Sequence, residues 1–93
     1  MKHTSAFFIA FMLASGAAQA NCYADYKAKQ DDPLQLQYGV AELYGDCSVD
    51  AAWAELDQRL LSSDWQLLEV ISVFDDAGLD ERRNSAGEYF LRY

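Results

Sequence analysis

Apolar residues recur along this chain with three different periods, and each period predicts an element. Ala6 to Ala14 form one unbroken apolar run preceded by Lys2 and His3. Further on, Leu34, Leu36, Tyr38 and Val40 alternate with Gln35, Gln37, Gly39 and Ala41, the period-two signature of a strand with one buried face. Val49, Trp53, Leu56 and Leu60 recur at four, three and four residues, with Ala52 beside them, which predicts an amphipathic helix over Val49–Ser62. Ser48 is its natural N-cap, and Asp50 meets the positive end of the helix dipole. Glu55 and Arg59 form an i,i+4 pair expected on a solvated face.

Trp65 to Phe74 is apolar on both alternating faces, with Trp65, Leu67, Ile71 and Val73 on one and Leu68, Val70 and Phe74 on the other. A strand of that kind requires cover on both sides. Asp75 to Ala86 reads as a polar connection, and Glu88 to Tyr93 as a last strand. At the front, Cys22 to Asp32 spaces Tyr23 and Tyr26 three apart among charged residues, which suits a short helix that Pro33 ends.

The expected class is therefore α+β: an N-terminal helix, then βαββ, with a three-stranded mixed sheet and one main helix packed on one face. A helix of about fourteen residues returns the chain by roughly 21 Å, so the strands flanking it should run parallel and the last two antiparallel. Trp53, on the helix stripe, and Trp65, opening a strand, are expected in the core. One helix covers one sheet face, so the other face needs either the N-terminal helix or a partner.

The first apolar run has the length of a signal-peptide core, is too short to span a bilayer, and is followed by Ala18-Gln19-Ala20, which suits signal peptidase. Residues 1–20 thus read as a cleavable signal peptide and 21–93 as one small domain in the periplasm or outside the cell. Asn21 before Cys22, with Gln19 upstream, does not fit lipoprotein processing, so no membrane anchor is expected. In that oxidising compartment Cys22 and Cys47 are expected to form a disulfide, worth roughly 3–4 kcal/mol in the chain-entropy account.

Composition narrows the function classes. The formal charge of −8 becomes −9 once Lys2 is removed, which disfavours nucleic acid and anionic membrane as partners. His3 is the only histidine, so a mature chain has none, and imidazole-based nucleophile pairs, general bases and most transition-metal sites are excluded. No catalytic residue and no cofactor is assigned. Asp75, Asp76, Asp80 and Glu81 are weak candidates for a metal site on a loop whose spacing is not that of an EF-hand. Tyr38, Tyr89 and Tyr93 are candidate interaction residues, because tyrosine suits a half-wet surface.

Leu36-Gln37-Tyr38-Gly39-Val40, the helix, Trp65-Gln66-Leu67-Leu68-Glu69-Val70-Ile71-Ser72-Val73 and Tyr89-Phe90-Leu91-Arg92 together resemble a small βαββ domain family of unknown function. The resemblance covers about fifty residues. It departs at Asp64, where that family has glycine in a left-handed helix cap, a conformation that Asp tolerates better than most residues. The segment from Cys22 through Tyr44 is similar to parts of uncharacterised small exported bacterial proteins. Neither resemblance implies an activity.

The resulting expectation is a non-enzymatic exported interaction module, binding a protein partner or a second copy of itself. A small acidic inhibitor of a basic secreted enzyme is one alternative; the Ser85-Ala86-Gly87-Glu88-Tyr89 segment is similar to a Ser-Gly motif of bacterial lysozyme inhibitors, with different spacing. A carboxylate-based or calcium-binding protein using residues 75–81 is the other.

Overall fold

Cys22–Gln30 is a strand, not a helix, and it is the middle of the sheet. The computed structural model describes residues 21–93, so the signal-peptide reading of residues 1–20 falls outside the described residues. The elements are β1 (Cys22–Gln30), β2 (Gln35–Leu43), α1 (Val49–Leu61), β3 (Gln66–Phe74), a 3₁₀ turn at Asp76–Gly78, α2 (Asp80–Ala86) and a second 3₁₀ turn at Gly87–Tyr89. The sheet order is β2-β1-β3, and both pairings are antiparallel.

The N-terminal helix fails because Cys22, Ala24, Tyr26 and Ala28 alternate with Tyr23, Asp25, Lys27 and Lys29. The first set is buried in the same core cluster as α1. Tyr23 and Tyr26 are neighbours on a helix but fall on opposite faces of a strand. With a strand on either side, β1 has a hydrogen-bonding partner for both of its edges, which a short isolated helix cannot match.

The mixed sheet is corrected for the same reason. β2 and β3 point the same way, since each is antiparallel to β1, but β1 lies between them and no parallel ladder forms. The last strand is also replaced. Gly87 and Leu91 sit at φ 55° and 58°, which turns the backbone on either side of a single parallel bridge between Val40 and Phe90. Among the described residues of this last segment, the Leu91 amide donates to the Val40 carbonyl at 2.8 Å and is the one backbone bond that extends the sheet.

β3 reads as two-sided because it carries two bulges. Its register on β1 shifts between Asp25 and Tyr26 and again between Lys27 and Ala28, leaving Ile71 and Leu68 without cross-strand partners. Each bulge adds one residue, so the period becomes three. Leu67, Val70 and Val73 face α1, while Gln66, Glu69 and Ser72 lie opposite Lys29, Lys27 and Asp25 on the other face. Ile71 and Leu68 are left 40% and 42% exposed.

α1 buries Ala52, Leu56 and Leu60, one row at four-residue spacing. Trp53 falls to the side of that row and is exposed, as is Val49, contrary to the expected stripe. Trp65 is in the core as expected. Ser48 accepts a hydrogen bond from the Ala51 amide at 3.1 Å. At the other end Asp64 adopts φ 66°, and the Trp65 and Asp64 amides donate to the carbonyls of Leu60 and Leu61 at 2.9 and 3.0 Å. This is a Schellman cap built on aspartate, with buried Trp65 and Leu60 as its apolar contact.

The Glu55–Arg59 pair, expected on a solvated face, is instead half-buried at 2.8 Å. Arg59 also donates to the carbonyls of Glu42 and Tyr93, and Glu55 accepts from the Tyr44 and Gly45 amides, so the pair ties α1 to the end of β2 and to the last residues. The Cys22–Cys47 disulfide is formed, with Cα atoms 5.8 Å apart, and joins the start of β1 to the turn before α1. Gly39 lies opposite Tyr26, and a Cβ there would come within 2.4 Å of the Tyr26 hydroxyl, so the tyrosine ring takes the space a side chain would need.

Candidate functional site

Strand alternation puts Tyr23, Asp25, Lys27 and Lys29 of β1 and Leu36, Tyr38, Val40 and Glu42 of β2 on the face away from α1. One half of that face is closed. Tyr23, Val40 and Ala86 form a second core cluster there, joined by Tyr38, Phe74, Leu79 and Phe90. The cover comes from α2 and its flanking turns, the segment expected to be a polar loop.

Asp25 holds this cover in place. Its buried carboxylate accepts from the Ser72 hydroxyl at 2.7 Å, the Tyr38 hydroxyl at 2.9 Å and Arg82 Nε at 3.0 Å. Arg82 also donates to the Gly78 carbonyl at 2.7 Å, pairs with Glu81 at 2.9 Å, and lies over the Phe74 ring with its guanidinium carbon 3.9 Å from the centroid. Burial opposes ionisation of Asp25 and is the largest influence on it, but the donors from Ser72, Arg82 and Tyr38 together outweigh it and hold the carboxyl below its usual range. Burial, reinforced by the hydrogen bond to Asp25, pushes the Tyr38 phenol up to about 12. At neutral pH one is therefore charged and the other neutral. The cluster is a satisfied clamp joining β1, β2, β3 and α2, with its carboxylate committed to three donors.

Beyond Tyr38 the cover stops. The next rows form an open groove of about 270 Å³, lined by Lys27, Leu36, Tyr38 and Leu68 over Ala28 and Gln37. Its walls are mostly apolar, and Leu36 is 68% exposed. The second bulge of β3 is what sets Leu68 at this groove, since that residue has no partner across the ladder. A second depression, around the disulfide, includes Asn21, Glu42 and Asp46 in its walls and has no cationic side chain among its lining residues.

Of the three tyrosines singled out from the sequence, only Tyr38 reaches the groove. Tyr89 and Tyr93 pack against the α1-side core. Tyr89 meets Trp65 edge-on at 5.7 Å and stacks with Tyr93 at 6.3 Å. Asp75 caps the first 3₁₀ turn through the Ala77 amide, Asp80 pairs with Arg83, and Glu81 pairs with Arg82. With Asp76, which opens that turn, these residues do not converge, and among the described residues no group of three or more His, Cys, Asp or Glu is placed to hold a metal ion. Also among the described residues, no helix is long and apolar enough to cross a membrane.

Asp25, Ser72, Arg82, Lys27 and Leu68 were not singled out from the sequence. The available signal was Asp25 itself, a charge between Ala24 and Tyr26 in an alternation that also reads as a strand. Comparison with family models, with characterised proteins and with solved structures finds no match to this chain.

Proposed function

We propose that this protein is an exported, non-enzymatic binding module that works through the open half of the sheet face opposite α1. The supporting observation is the contrast within that face. One half is sealed by α2 and clamped through Asp25, while the other presents Leu36, Tyr38 and Leu68 around a groove. Exposed apolar residues that line a concavity next to a rigid support mark binding surfaces more often than isolated ones do. The disulfide fits an oxidising location, in keeping with the signal-like pattern of residues 1–20.

The test uses oxidised protein from Asn21 onward and the neutral apolar dye Nile red. Dye fluorescence should rise on binding, and Leu36→Asn and Leu68→Asn should each remove most of the rise. Leu61→Asn, at an exposed leucine on α1, should leave it intact. A signal that ignores Leu36 and Leu68, or depends equally on Leu61, would contradict the proposal.

A further inference from the structure

We infer that the open groove takes a small apolar carboxylate, with its charged head on the Lys27 ammonium and its body between Leu36, Tyr38 and Leu68; this rests on the reading of the groove as the binding surface. Residues 21–93 contain Lys27, Lys29, Arg59, Arg82, Arg83 and Arg92. Lys29 pairs with Asp31, Arg59 with Glu55, Arg82 with Asp25 and Glu81, Arg83 with Asp80, and Arg92 with Glu88. Among the described residues Lys27 alone has no ion pair, and it lines the groove.

On a chain with a formal charge of −8, most of the surface repels an anion, so the one side-chain cation without an ion pair, set among apolar walls, is where an amphiphilic anion can settle. The α-amino group of a chain starting at Asn21 lies at the other end of β1. The same acidity disfavours a polyanion, which would meet the surrounding carboxylates. Glu69 stands across the ladder from Lys27 without closing to an ion pair, and it limits the site to a single negative charge. The apolar walls supply the rest of the recognition. A groove of about 270 Å³ holds a short acyl chain or one ring. The match is a monoanionic amphiphile, charged at one end only.

The experiment is calorimetric titration of the oxidised protein with octanoate and, separately, with octanol. Octanoate should bind more tightly, and Lys27→Gln should weaken it about tenfold, the order expected for one charge-assisted contact. Octanol affinity should fall far less than octanoate affinity in Lys27→Gln, since octanol can lose only contact with the lysine stem. Glu69→Gln should tighten octanoate, and added salt should weaken it. Lys27 is exposed, so its replacement tests the contact without threatening the fold. Octanoate affinity that is indifferent to Lys27→Gln, or equal to that of octanol, overturns the inference. If octanol still binds in dependence on Leu36 and Leu68, the groove remains a binding surface and only its charge selectivity is refuted. Binding of neither compound overturns both.

Discussion

Asp25 is the residue on which the closed half of the face depends. Asp25→Asn retains the shape but leaves Arg82, mostly buried over Phe74, without its carboxylate. Loss of one partner of a largely buried ion pair costs roughly 3 kcal/mol, and urea denaturation should show a destabilisation of that order. The pH dependence has a definite sign. The folded-state pKa of Asp25 is lowered, so its contribution is complete above the unfolded-state value near about 3.9 and is lost as pH falls through the lower folded value. Wild-type stability should therefore fall on acidification below that point, and the part of the fall due to Asp25 should be absent in Asp25→Asn. Equal acid limbs in the two proteins would contradict the clamp. At this scale, local chemistry was legible where it acts within a few residues: Ser48 could be read as a cap from the residues themselves, whereas the left-handed turn at Asp64 was suggested only by the resemblance. The clamp could not, because its partners lie 13, 47 and 57 positions from Asp25 and no local spacing joins them.

At the scale of elements, β2 and α1 were legible as a strand and a helix because one spacing dominated each, but the face of β2 was reversed: of the row expected inside, Leu34 lies outside the strand and Leu36 is exposed, while Gln37, Ala41 and Leu43 of the other row are buried. β1 was not legible as a strand. Its apolar positions include small alanines that fit a helix as well as a strand, and only two neighbouring strands decide between them. β3 was recognisable as a strand, but its faces were not, since two bulges convert a two-residue period into three. The stripe of α1 was placed correctly at Ala52, Leu56 and Leu60 but not at Val49 and Trp53, which fall outside the buried row. The two tryptophans test that placement. Trp65→Ala, which empties a core position beside Leu60 and Tyr89, should cost about 3–5 kcal/mol. Trp53→Ala, at an exposed flank, should cost below about 1 kcal/mol. Thermal or urea unfolding that ranked them in the opposite order would mean that α1 is rotated on the sheet.

For the whole molecule, the question raised by the sequence was what covers the second face of the sheet. The N-terminal segment does not, because it is the central strand. The answer is divided between α2, which seals the rows from Tyr23 to Asp25, and open space over Lys27 and Leu36. That the cover would come from the polar stretch after Phe74 was not visible, since α2 buries only Ala86 and is held by the reach of Arg82. The most direct measurement is amide chemical-shift mapping of the oxidised protein with the neutral probe benzyl alcohol. The largest shifts should fall on Lys27, Leu36, Tyr38 and Leu68, with little change at Tyr23 and Ala86. Shifts centred on the Trp53 flank of α1, or spread evenly over the surface, would contradict a binding surface at the open half of the sheet.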